Sequence, residues 1–63
     1  MKQIDCISFV DEATGAGVIV SVFQREDAMV LLDFQVANKP AALVSLPSDL
    51  ARRFAEAVIR AIA

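Results

Sequence analysis

The chain has 63 residues, a formal net charge of −2 and 57% hydrophobic residues, with one cysteine and no histidine, tyrosine or tryptophan. That length holds a single domain, residues 1–63; Cys6 alone excludes an internal disulfide framework, and one thiolate without histidine does not build a structural zinc site. The small charge, with no long run of either sign, argues against non-specific binding to nucleic acid or anionic membrane.

Residues 3–10 read as a strand rich in β-branched and aromatic types. Its alternation slips, because Ile4 and Cys6 share one face while Ile7 and Phe9 share the other. Either both faces are covered or a bulge near Cys6 re-aims the strand. Asp11–Gly17 is the clearest turn, with two glycines free to take positive φ. A second strand follows at 18–25. Val18, Val20 and Val22 lie on one face, and Ile19, Ser21, Phe23 and Arg25 on the other.

Glu26-Asp27 marks a reversal, since both residues are charged and strand-averse. The third strand, 28–37, alternates best, with Ala28, Val30, Leu32, Phe34 and Val36 against Met29, Leu31, Asp33, Gln35 and Ala37. Asn38-Lys39-Pro40 is the next expected turn, because proline removes a ladder donor and holds Lys39 extended. A fourth strand, 41–46, then pairs Val36 with Ala42, Phe34 with Val44 and Leu32 with Leu46, which keeps one face wholly apolar.

Ser48 is the expected N-cap of a terminal helix and Asp49 sits where the helix dipole favours an anion; Ala51 leaves the capping box incomplete. At roughly 100° per residue, Leu50, Ala51, Phe54, Ala55, Val58, Ile59, Ala61 and Ile62 spread over an apolar arc of about 200°, against a stripe of about 100° for a helix lying on one core. Arg52, Arg53, Glu56 and Arg60 fill the remainder. The fold class is therefore α+β, a four-stranded antiparallel meander followed by one C-terminal amphipathic helix.

That architecture predicts a partner. Four strands make a sheet about 19 Å wide, whereas a helix is about 10 Å wide, so one helix covers half of one face. A small domain without disulfide or metal usually needs another subunit, and a symmetric dimer supplies a second helix. The expected self-association residues are Leu50, Phe54, Ala55, Val58, Ile59 and Ile62. Ala51, Ala55, Ala57 and Ala61 allow close helix approach or merely reflect high helix propensity.

Candidate chemistry is sparse, and no catalytic, cofactor-binding or metal-binding residue is expected. Without histidine or tyrosine the usual neutral-pH acid–base groups are missing. Cys6, in an apolar strand, reads as a buried and unreactive thiol. Asp33 either pairs with an arginine or a ligand or simply points to solvent. Asp5, Asp11 and Glu12 lack the spacing of a calcium loop, and Gly15-Ala16-Gly17 lacks the third glycine and the following helix of a dinucleotide site. Arg52, Arg53 and Arg60 give the helix's polar face a local excess of positive charge. They suit a polyanion or a partner, or else form exposed i,i+4 pairs with Glu56.

The β-β-β-β-α order with its Leu46-Pro47 step into the helix resembles the dimeric single-stranded-DNA-binding domain of the transcription positive-cofactor type. The likeness lies in the order of elements alone and transfers no residue. Lys2, Arg25 and Lys39 are the only bases before the helix, and Phe9, Phe23 and Phe34 fall in core-like patterns rather than stacking platforms. The expected function is a small, non-enzymatic protein-binding module (regulator, inhibitor or adaptor) that forms homo-oligomers, a dimer first, with room for a heterologous protein partner. The alternative is a dimeric single-stranded DNA or RNA binder using the arginine stripe. A lone cysteine and no export signal point to the cytoplasm, and no apolar stretch is long enough for a membrane span.

Overall fold

Hydrophobic alternation followed by helical periodicity produces four antiparallel strands and one helix, an α+β arrangement in which the strands lie in the spatial order β1-β2-β3-β4. The computed structural model describes residues 1–63. β1 spans Lys2–Val10, β2 Gly17–Gln24, β3 Met29–Val36, β4 Lys39–Pro47 and α1 Ser48–Ile62.

Each turn has its own chemistry. Between β1 and β2 the Asp11 carboxylate accepts from Ala13 N–H at 3.0 Å, and the Asp11 carbonyl accepts from Gly15 N–H at 2.7 Å. Gly15 takes φ +75°, a conformation open to glycine, while Gly17 has already entered β2. Between β2 and β3, Arg25 N–H reaches the Met29 carbonyl at 3.0 Å, and Ala28 adopts φ +62°. That loop length sets Val20 against Phe34 and Val22 against Leu32, and Ser21 against Asp33. The Val18/Val20/Val22 set therefore shares a face with the best apolar row of β3.

The third turn differs from the sequence expectation. Ala37 and Asn38, at φ +54° and +64°, form the turn, the signature of a two-residue type I′ hairpin. Lys39 and Pro40 belong to β4, opposite Val36 and Gln35. A register shift beyond Gln35 leaves Ala41 unpaired, so Phe34 meets Ala42, Leu32 meets Val44 and Val30 meets Leu46. The pairing is two residues from the expected one. The faces survive because an even shift preserves side-chain direction. Pro40 is tolerated because β4 is an edge strand and bulged at that point.

The irregularity in β1 is also a bulge, between Gln3 and Asp5, and it leaves Ile4 unpaired. Beyond it Ile7 and Phe9 align with Val20 and Val18, whereas Cys6 and Ser8 align with Ser21 and Ile19. One face, here the helix face, thus carries Ile7, Phe9, Val18, Val20, Val22, Val30, Leu32, Phe34, Val44 and Leu46, with Asp5 opposite Val22 at its β1 edge. The opposite, open face mixes Cys6, Ser8, Ser21, Asp33 and Ser45 with Ile19, Phe23, Leu31 and Leu43.

Helix α1 starts directly from β4 and folds back over the helix face, its backbone closest to β4 and β3. Ser48 is not its N-cap. Pro47 holds that position with no side-chain cap, and the Ser48 hydroxyl instead donates to the Ala28 carbonyl. The left-handed turn at Ala28 presents that carbonyl to the helix start, and the hydroxyl satisfies it rather than a helix N–H. Asp49 does lie in the first turn and Arg60 in the last, both favourable to the helix dipole.

The result is a slab of 34 × 30 × 16 Å with a radius of gyration of 12.7 Å, against about 10.6 Å for a compact chain of this length. Backbone pairing is complete by comparison. The 42 backbone hydrogen bonds match the roughly two-thirds per residue of folded proteins. What the protomer lacks is side-chain burial.

Candidate functional site

Val18, 9% exposed, is the only buried residue in the chain. The total surface is 4921 Å² for 6.8 kDa, about 970 Å² more than a folded monomer of that mass exposes. The exposed residues lie on the helix and on the two edge strands β1 and β4, whereas β2 and β3 are mostly half-buried.

The helix side of this surface begins where sequence periodicity puts it. Phe54, Ala55, Val58 and Ile59, with Ala51, line a groove of about 410 Å³ whose floor is Val22, Val30, Leu32 and Leu46. Every residue lining it is apolar. Leu50 and Ile62 stand outside the groove. Leu50 and Val58 are less exposed, at 43% and 44%, than Ile59 and Ile62, at 64% and 80%. The helix contributes no buried residue at all.

On the sheet, β1 adds further exposed apolar residues. Ile7 and Phe9 lie on the helix face, in line with Val20 and Val18, and are about half exposed. The helix backbone comes close to β3 and β4 and not to β1. Ile4, displaced by the bulge, lines a smaller hollow with Val22, Val30 and Ser48 near the start of the helix.

Arg52, Arg53 and Arg60 are exposed along the helix's outer side. The two ion pairs in the protein lie elsewhere, between the N-terminal ammonium and Glu26 at 3.7 Å and between Arg25 and Asp27 at 2.7 Å. The i,i+4 pairs of Glu56 with Arg52 and Arg60 are not formed. Sequence reasoning missed the role of Arg25, whose guanidinium also donates to Ser45 Oγ at 3.2 Å and so ties the β2–β3 turn to β4 across the open face. The signal was its place in the Ile19, Ser21, Phe23, Arg25 row.

Cys6 corrects a further expectation, because it is exposed rather than buried. It lies on the edge strand and on the face that no helix covers, with Ser21 Oγ donating to its Sγ at 3.6 Å. Asp33 sits on the same open face, half-buried between β2 and β4 neighbours Ser21 and Leu43. No group of three or more His, Cys, Asp or Glu side chains is placed to hold a metal ion, and no helix is long and apolar enough to cross a membrane.

Comparison with protein-family models, with curated proteins and with solved structures found no match to this chain.

Proposed function

We propose that this chain is a non-enzymatic protein-binding module that works as a homo-oligomer, a dimer in its simplest form. The observation that carries the reading is the single buried residue in a chain that nevertheless makes 42 backbone hydrogen bonds. A small apolar domain gains its stability from burying side chains, and one protomer buries almost none. A surplus of about 970 Å² also matches the roughly 800 Å² per partner of a standard protein–protein interface. The lack of histidine and tyrosine supports a binding role over catalysis. Regulation, inhibition or bridging of another protein is the class of activity such a module performs, and the cytoplasm is the compartment that suits its lone thiol.

One observation favours a second reading, in which the oligomer binds single-stranded DNA or RNA. Arg52, Arg53 and Arg60 have no carboxylate partner within ion-pair distance, and arginine forks suit phosphate. The open face, where stacking side chains are needed, carries only Phe23 of the phenylalanines, so the protein-binding reading is preferred.

Light scattering at low and high salt, with and without a single-stranded oligonucleotide, tests both. The first reading expects a mass near twice 6.8 kDa that persists at high salt, because apolar association is not screened. A monomer at every concentration would overturn it. Oligonucleotide binding that weakens steeply with salt and is lost in the Arg52→Ala/Arg53→Ala/Arg60→Ala variant would establish the second.

A further inference from the structure

We infer that the occupant of the bare half of the helix face is the helix of a second copy of this chain. In the resulting two-fold dimer the two sheets face each other, with both helices side by side in the layer between them. The inference rests on the self-association reading above and assigns the surfaces that meet.

Three observations lead to it. First, the backbone of α1 comes close to β3 and β4 and its groove extends to Val22 of β2, while Ile7 and Phe9 of β1, in register with Val20 and Val18, stay half exposed. Two strands span about 9.6 Å, close to the width of one helix, so the gap has the dimensions of a second helix. Second, the helix's apolar arc of about 200° is twice what one sheet requires. Ala51, Phe54, Ala55, Val58 and Ile59 line the groove over their own sheet, yet Ile59 and Ile62 remain 64% and 80% exposed. Third, each copy holds both halves of the mismatch, an uncovered sheet half and an uncovered helix flank. A two-fold axis matches each to the other twice.

Geometry favours this arrangement over the other self-pairings. A two-fold axis between facing sheets brings the β1–β2 half of one copy above the β3–β4 half of the other. Each helix then meets its own sheet on one side, the partner helix in the middle and the partner's sheet on the far side, which uses an arc of about half a turn or more. The remaining side carries Arg52, Arg53, Glu56 and Arg60 and stays in water. Pairing of two copies through the β1 edges would extend the sheet but leave Ile7 and Phe9 bare. Contact through the helices alone would leave the same strip open.

The test is a charge exchange between surfaces that only this arrangement brings together. The helix variant Ile59→Glu/Ile62→Glu and the sheet variant Ile7→Lys/Phe9→Lys are each expected to dimerise roughly a hundredfold or more weakly, since each buries unpaired charge. Mixed together, they are expected to form a heterodimer that recovers most of that loss. Its one altered seam pairs Glu with Lys, and its other seam is wild type. If the sheet variant dimerises like wild type, or the mixture shows no recovery, the assigned surfaces are wrong even though the protein is a dimer. If the wild-type chain is monomeric throughout, the self-association reading itself fails.

A measurement without substitutions guards against unfolded variants. In a mixture of isotope-labelled and unlabelled wild-type protein, intermolecular NOEs are expected between Phe9 or Ile7 and Ile59 or Ile62. Intermolecular NOEs confined to helix–helix or open-face residues would overturn the proposal.

Discussion

The two faces of the sheet are built from the same four strands but follow different rules. On the open face, serines, Asp33 and Cys6 interrupt the apolar rows, although Phe23 lies opposite Leu31, and Leu43 stands 68% exposed beside Asp33. On the helix face Phe9 is less exposed, at 50%, yet its neighbours Ile7, Val18 and Val20 are all apolar and continue into Val22 and Leu32. Scattered apolar side chains are normal on a protein surface, whereas a continuous patch calls for a cover. Exposure of a single residue therefore ranks these positions in the wrong order. The difference lies in what surrounds them.

The sharpest way to break this comparison is to treat the two positions alike. Phe9→Asn is expected to weaken the dimer roughly a hundredfold, or about 3 kcal/mol, because it removes a large side chain from the covered layer. Leu43→Asn, at the more exposed site, is expected to change dimer affinity by less than about 0.5 kcal/mol. Titration by analytical ultracentrifugation reads both. Equal effects at the two sites would mean that the faces are not distinct.

A smaller effect sharpens how the helix is held on its own half of the sheet. Ser48→Ala removes the hydroxyl that donates to the Ala28 carbonyl and is expected to cost about 1 kcal/mol of stability, the worth of one hydrogen bond. Its dimer mass should stay unchanged, because the bond lies within one protomer. Urea denaturation measures the loss. No change in midpoint would show that packing alone, and not this bond, anchors the helix start.

Most of the fold is legible in the sequence because its signals are periodic. Strand composition and alternation identify all four strands, although the alternation of the first one slips, and the 3.6-residue pattern identifies the helix and its wide apolar arc. The misread features depend on single residues whose behaviour runs against their type. Ala37 takes a left-handed turn position that usually goes to Asn or Gly, so the hairpin looks longer than it is. Pro40 resembles a turn residue but sits in a bulged edge strand. Ser48 has the chemistry of an N-cap, yet its hydroxyl finds a carbonyl from a turn twenty residues earlier. Cys6 looks buried because its strand is apolar, and only the position of β1 at the sheet edge decides otherwise.

The interaction surface is legible in part for the same reason. Periodicity marks Leu50, Phe54, Ala55, Val58, Ile59 and Ile62 for self-association; Phe54, Ala55, Val58 and Ile59 line one groove, and Leu50 and Ile62 lie outside it. It gives no means of singling out Ile7 and Phe9, whose exposure follows from which strands the helix happens to lie across. That is a tertiary fact, fixed by the direct β4-to-α1 junction at Pro47-Ser48.

The central claim is that one protomer is an incomplete fold and that a second copy completes it. Urea denaturation of the wild-type chain, repeated over a hundredfold range of protein concentration, tests it most directly. If folding and association are one event, each tenfold rise in concentration is expected to raise the apparent stability by about 1.4 kcal/mol and move the midpoint upward. A midpoint independent of concentration, in a protein that stays monomeric, would contradict the account.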